Sequence, residues 1–233
     1  MKNLTWQNPE QLFVAQELIN KVKSKCCGIK VNLPFMDLTL HQYLLVCENP
    51  VLISTGTINQ AEKILPEIKK ILNGKELKYI IFPHFESDEC GGLPVFQREY
   101  PNVTTICSQL SARELPGFGY KGKIETKKQG DSLVDDGFSF KFIDYPSEVH
   151  LQNGIVFYEE TRKIFFSSDL MLRFGNASGQ VINNSWKDEV ESISIETIPD
   201  ENKLDTLKRN LLTLEPSFIA VGHGYCVNCN LNK

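Results

Sequence analysis

Apolar residues recur along this chain with two periods, and the switches between them mark out its elements. Leu12, Ala15, Ile19 and Val22 fall at helical spacing. Asn8, Pro9 and Gln11 before them read as an N-cap, an N1 proline and a capping-box start, so residues 9–23 are expected to form a helix. Extended runs at 42–47 and 51–54, joined by Glu48-Asn49-Pro50, predict a hairpin. Ile64, Ile68 and Leu72 then place a second amphipathic helix over Ile58–Leu72, ended by Asn73-Gly74 and expected to kink or break at Pro66. Tyr79-Ile80-Ile81-Phe82 is a short apolar run bounded by turn residues, the pattern of a buried strand. A helix over Leu93–Glu99, a strand over 103–107 and a helical turn over 108–114 are predicted after it. Further strands are expected at 131–134 and 138–142, around Asp135-Asp136-Gly137, and a hairpin at 155–158 with 163–166. Residues 171–186 are weakly patterned and read as a loop or lid. Helices near 187–192 and 201–212 precede a last strand, Phe218–Val221.

Hairpins come early in each half and strand–helix alternation late, with no linker between the halves. This order predicts two mixed sheets face to face with helices outside, a four-layered αββα sandwich of the α/β class, in one domain over 1–233. It does not fit a single doubly wound parallel sheet.

Composition narrows the partners. The 233 residues are 41% hydrophobic and 23% charged, which suits a folded core. A net charge of −4 with no basic run argues against nucleic acid, since the lysines between 121 and 128 are interrupted by Gly and Glu. No apolar run approaches the roughly 18 residues that span a bilayer, and residues 1–9 lack the apolar core of a signal peptide. The expected location is therefore the cytoplasm, without a membrane partner. Seven cysteines show no disulfide spacing, and Cys47, Cys90 and Cys107 read as buried thiols. Cys226 and Cys229 form a lone C-x-x-C, which leaves open half a metal site completed by Cys26 and Cys27, a redox pair, or no chemical role.

The chemistry gathers at strand exits. After the run ending at Phe82, His84, Glu86 and Asp88 occupy alternate positions, followed by Glu89 and Gly91-Gly92. Period-two spacing turns their side chains to one side. The chain has four histidines, and three of them lie just past predicted strands: His84, His150 and His223. Asp169 ends a similar run, Phe165-Phe166-Ser167-Ser168. Loops leaving strand ends are where α/β sites are usually built, and a mostly oxygen-donor set suits iron or manganese better than structural zinc.

With this set in view, the sequence resembles the metallo-β-lactamase superfamily, and within it the flavodiiron branch. The superfamily's first motif is H-x-H-x-D-H, and the flavodiiron branch has H-x-E-x-D-H. Here the residues are His84-Phe85-Glu86-Ser87-Asp88-Glu89, with His150, Asp169 in a Ser-x-Asp context and His223 between two glycines. The resemblance implies that His84, Glu86 and His150 hold one iron and that Asp88 and His223 hold the other. Asp169 would bridge them, alongside an oxo, hydroxo or peroxo ligand. Glu89 stands where the branch has a histidine, and either ligates the second iron or turns away from it. By the same resemblance the ligand is O2 or NO, and the protein is a reductase or an oxygen sensor. No flavin site is expected in this chain, so electrons or signal would pass through a separate donor or signalling protein, and a homodimer is an option. Phe82, Phe85, Phe165, Phe166 and Phe174 are read as apolar surroundings, and Tyr158 and Tyr225 as hydrogen-bond donors to a bound ligand. The alternative is a dinuclear zinc or manganese hydrolase, against which Glu86 and Glu89 count.

Overall fold

The computed structural model describes residues 39–147, 152–175 and 180–230, together with the backbone of three short strands nearer the N-terminus. In chain order the first half contains β1 (Leu12–Val14), the ribbon β2 (Asn32–Leu33) with β3 (Met36–Asp37), β4 (Tyr43–Leu45) and β5 (Val51–Ile53). It continues with α1 (Ile58–Leu72), β6 (Tyr79–Ile81), α2 (Ser87–Cys90), α3 (Leu93–Glu99), β7 (Thr104–Cys107), α4 (Gln109–Glu114) and β8 (Lys123–Thr126). Six of these strands form one mixed sheet in the order β1-β4-β5-β6-β7-β8. The second half contains β9 (Ser132–Asp135), β10 (Phe138–Ser147), β11 (Gln152–Glu159), β12 (Ile164–Ser168), β13 (Val181–Asn183), α5 (Trp186–Ser192), α6 (Glu201–Leu211), β14 (Phe218–Val221) and β15 (Cys226–Asn228). Its sheet runs β13-β15-β14-β12-β11-β10-β9.

Strand alternation divides the apolar residues between two layers. Tyr43, Leu45, Val51, Ile53, Ile81 and Ile106 join Phe140, Phe142, Phe157 and Phe166 in one buried cluster between the sheets. Leu44, Leu52 and Ile80 point the other way, against Ala61, Ile64, Ile68 and Leu72 of α1 and Phe96 of α3. On the far side of the second sheet, Phe165 meets Trp186 edge-on with ring centroids 4.9 Å apart. The sandwich expected from the sequence is the fold observed. Among the described residues, no helix is long and apolar enough to cross a membrane.

α1 carries its start and stop signals locally. Thr57 caps it in a full capping box with Gln60, its buried stripe recurs at helical spacing, and Asn73 ends it in the left-handed conformation. Pro66 does not interrupt it. The proline lies on the exposed face, so the carbonyl left without a helical partner is on the solvent side of the helix.

Three further expectations change. Leu12–Val14 is a strand antiparallel to β4, not part of a helix, because an open sheet edge supplies backbone partners that a marginal local pattern cannot outweigh; the rest of 9–23 lies outside the described residues. Within 171–186, Val181–Asn183 is a strand parallel to β15. β8 and β15 were not expected: β8 carries Lys123 and Glu125 at the sheet edge, where half the side chains need no burial and leave no apolar run.

Candidate metal centre

The site lies where the strand ends of both sheets meet. β6 ends at Ile81, and Phe82-Pro83 carry the chain over the sandwich to His84. The Pro83 carbonyl takes the Ile155 N–H of β11 at 2.9 Å, tying this exit to the second sheet. The chain turns at once into α2, whose N-cap is Glu86 and whose first turn holds Asp88 and Glu89. From the second sheet, β12 delivers Asp169 and β14 delivers His223.

Two groups of donors result, and they share a residue. His84, Glu86 and Asp169 place one donor atom each within 4.8 Å of one another; Glu89, Asp169 and His223 do the same. His84 Nε2 lies 3.4 Å from Glu86 Oε2 and 3.4 Å from Asp169 Oδ2. His223 Nε2 lies 3.0 Å from Asp169 Oδ1 and 3.5 Å from Asp88 Oδ2. Asp169 thus turns one oxygen to each imidazole, the arrangement a carboxylate between two cations requires. His150 lies outside the described residues.

Supporting groups fix which nitrogen faces inward. His84 Nδ1 is 3.3 Å from Ser168 Oγ, and His223 Nδ1 is 3.3 Å from the Thr39 carbonyl. The carbonyl only accepts, so Nδ1 of His223 carries a proton, and Nε2, which faces Asp169, is the nitrogen that would give up its own proton to a cation in the site. Ser168 donates to Glu89 and therefore accepts from His84, with the same outcome.

Glu89 is almost fully buried and held at both oxygens: Ser54 donates to Oε2, and Ser168 to Oε1. Ser54 and Ser168 have positive φ, at 57° and 49°. Such conformations cost about 1–3 kcal/mol each and persist where surroundings impose them; here both place a hydroxyl on the same carboxylate. Gly224, with φ of 89°, is equally required, because a Cβ would sit 2.4 Å from the Arg173 carbonyl.

The electrostatics are those of a site built for cations. Burial lowers the His84 imidazole, but Glu86, with Glu89 and Asp169, outweighs it and raises the group to about 9. Burial likewise lowers His223, and Asp169, Glu89 and Asp88 raise it to about 9. Burial pushes the Glu89 and Asp88 carboxyls up. In the metal-free protein each imidazole, ordinarily near 6.5, gives stability that is whole below about 6.5 and lost as pH rises through about 9. Thermal scans in chelator are expected to show falling stability from pH 6.5 to 9. A flat profile over that window would refute the ion pairing.

The other expected participants differ in their surroundings. Tyr158 sits at the far end of β11 and donates to the Glu215 carbonyl at 3.3 Å, away from the donors. Tyr225 is half-buried two residues past His223. Among the phenylalanines, Phe166 lines a cavity beside Glu89, whereas Phe165 packs on Trp186 and Phe82 in the helix-side core. Phe85 packs on Phe118 with centroids 4.9 Å apart, and Phe174 is 61% exposed. Cys226 and Cys229 are free thiols that burial pushes up, Cys229 to about 12. Cys26 and Cys27 lie outside the described residues. Reading from sequence missed Ser54, Ser168 and Thr39, because a lone hydroxyl or carbonyl has no motif; their proximity to Glu89 and His223 exists only in the fold.

Known proteins share this architecture. The chain is 24% identical over 132 residues to the anaerobic nitric oxide reductase flavorubredoxin of Salmonella typhi, covering 55% of this chain and 27% of that protein. It superposes on the Flv1 flavodiiron core from Synechocystis with a TM-score of 0.69 at 21% identity, over 83% of this chain and 50% of the other. Rubredoxin oxygen:oxidoreductase from Desulfovibrio gigas gives 0.63 at 19% identity, over 83% and 50%. This chain therefore spans well under two thirds of these relatives, and the two structures establish likeness of fold. The family model described as ODP family beta lactamase matches residues 38–224, most of the chain, and the protein belongs to that family.

Proposed function

We propose that this protein holds a pair of iron ions and binds O2 or NO there, the event being read as a signal or completed as a reduction by electrons from a separate protein. The observation that carries the reading is Asp169, which belongs to both donor groups. The donors are imidazole and carboxylate, a set that serves ferrous and ferric iron alike. In this proposal His84, Glu86 and His150 hold one iron, Asp88 and His223 the other, and Asp169 lies between. Glu89, engaged by Ser54 and Ser168, supplies negative charge beside the second position and is available as its ligand. The ligand classes come from the relatives, one named a nitric oxide reductase and another an oxygen:oxidoreductase.

An iron pair, when bound, supplies the one-electron chemistry that O2 and NO need and that side chains lack. The chain's own residues orient it. Ser168 and the Thr39 carbonyl keep both Nε2 atoms inward, and the buried apolar layer beneath, Phe166 and Phe157 among it, limits water.

Metal analysis of anaerobically reconstituted protein, with optical spectra before and after O2, tests the reading. About two irons per chain and an absorption change on O2 addition are expected. Colourless protein that retains zinc and ignores O2 would replace it with the hydrolase alternative. Glu89→His removes an anion from the second position and is expected to raise the reduction potential, since less negative charge favours the ferrous state. A spectroscopic titration giving the wild-type potential would refute a role for the Glu89 charge.

A further inference from the structure

The fourth histidine lies outside the donor groups yet is built into their support. His41 precedes β4 and stacks on Tyr43, centroids 5.9 Å apart. Its backbone N–H donates to the Gly222 carbonyl at 3.0 Å, and its ring Nε2 lies 2.7 Å from the Gly224 carbonyl. Leu40 bridges to His223 itself, and the Thr39 carbonyl takes the His223 Nδ1 proton. Three consecutive residues, 39 to 41, therefore hold the three residues 222 to 224.

The geometry also fixes the His41 tautomer. A carbonyl oxygen only accepts, so Nε2 carries the ring proton and Nδ1 is a bare acceptor. That Nδ1 is fully buried and has no hydrogen-bond partner among the described residues. Burial also lowers the ring to about 4, which keeps it neutral. The ring lines a cavity of about 10 Å³ that is also lined by Ser54, Glu89 and Ser168. This is close to the size that takes one water, and although Ile53, Phe157 and Phe166 form much of its wall, His41, Ser54, Glu89 and Ser168 supply the polar partners that a water needs.

We propose that this cavity binds one water molecule that donates to His41 Nδ1, and that His41, locked in this tautomer, is a positioning residue for the His223 side of the metal centre. The remaining hydrogen-bonding capacity of that water is met by Ser54, Glu89 and Ser168. The effect on metal rests on the proposed iron pair; the tautomer and the water do not.

Three variants separate the parts. His41→Gln keeps an N–H near the Nε2 position, His41→Asn offers one near Nδ1 instead, and His41→Phe keeps the ring shape without either. Each full-length protein is reconstituted anaerobically with Fe(II), and iron release to a chelator is followed. His41→Phe and His41→Asn are expected to release one of the two irons about 10- to 100-fold faster than wild type, as loss of a supporting partner does elsewhere. His41→Gln should stay close to wild type. A folded His41→Phe protein, checked by circular dichroism, that releases both irons at the wild-type rate overturns the proposal. If that variant does not fold, the Gln and Asn proteins decide, and equal release from both overturns it. In the metal-free wild type, 15N NMR should show the Nε2–H tautomer, and a crystal structure one water on Nδ1. An Nδ1–H tautomer or a dry cavity refutes the inference, even if the protein proves to bind no iron.

Discussion

Asp169→Ala protein is expected to lose both metal ions rather than one. Asp169 is the residue common to the two donor groups, with Oδ2 facing His84 and Oδ1 facing His223. Removing it takes one carboxylate oxygen from beside each imidazole, and so one donor from each position of the proposed pair. Loss of a supporting residue costs about 10- to 100-fold in affinity, so loss of a shared ligand should exceed that upper figure of about 100-fold. Iron content after anaerobic reconstitution and desalting measures it. Thermal scans in chelator provide the control, because in the metal-free protein the substitution removes a partner of both imidazoles. Retention of one iron per chain would show that Asp169 serves a single position and would overturn the shared-carboxylate reading.

Phe157→Ala should be the most damaging change away from the donors. Phe157 is 1% exposed and packs against Phe140, Phe142 and Phe166, with centroids 5.8, 5.9 and 5.2 Å away. It sits between the sheets and also lines the cavity next to Glu89. Truncating a buried phenylalanine costs about 3–5 kcal/mol, the transfer loss plus the void that neighbours cannot refill. The upper part of that range is expected, because three rings converge on the site from two strands and cannot close it by rotating. Denaturant unfolding should give a lower midpoint with an unchanged slope. A loss below about 1 kcal/mol would mean that the layer collapses around the gap, contrary to close packing of the core.

Elements whose signals are local were legible in the sequence. α1 was legible from Ile64, Ile68, Leu72 and Asn73-Gly74, and the structure adds the Thr57–Gln60 capping box at its start. The hairpin of β4 and β5 and the strand β14 are continuous apolar runs closed by turn residues. β1, β8 and β13 were not legible, because an edge strand is stabilised by its neighbour's backbone and needs little apolar pattern of its own; β15, three residues between β13 and β14, is too short to show a pattern.

The site divides in the same way. Residue identity and position after a strand singled out His84, Glu86, Asp88, Glu89, His150, Asp169 and His223, since α/β folds bring strand exits together and only certain side chains hold metal. Resemblance to the flavodiiron branch assigned them to two groups. The tertiary structure alone could decide that Asp169 lies between both imidazoles, that Glu89 is gripped by two strained serines, and that His41 supports the His223 loop instead of joining the donors. These are contacts across 35 to 183 residues of chain, set by how two sheets stack. A sequence pattern reports spacing within a strand or helix and carries no information on which strand ends will meet.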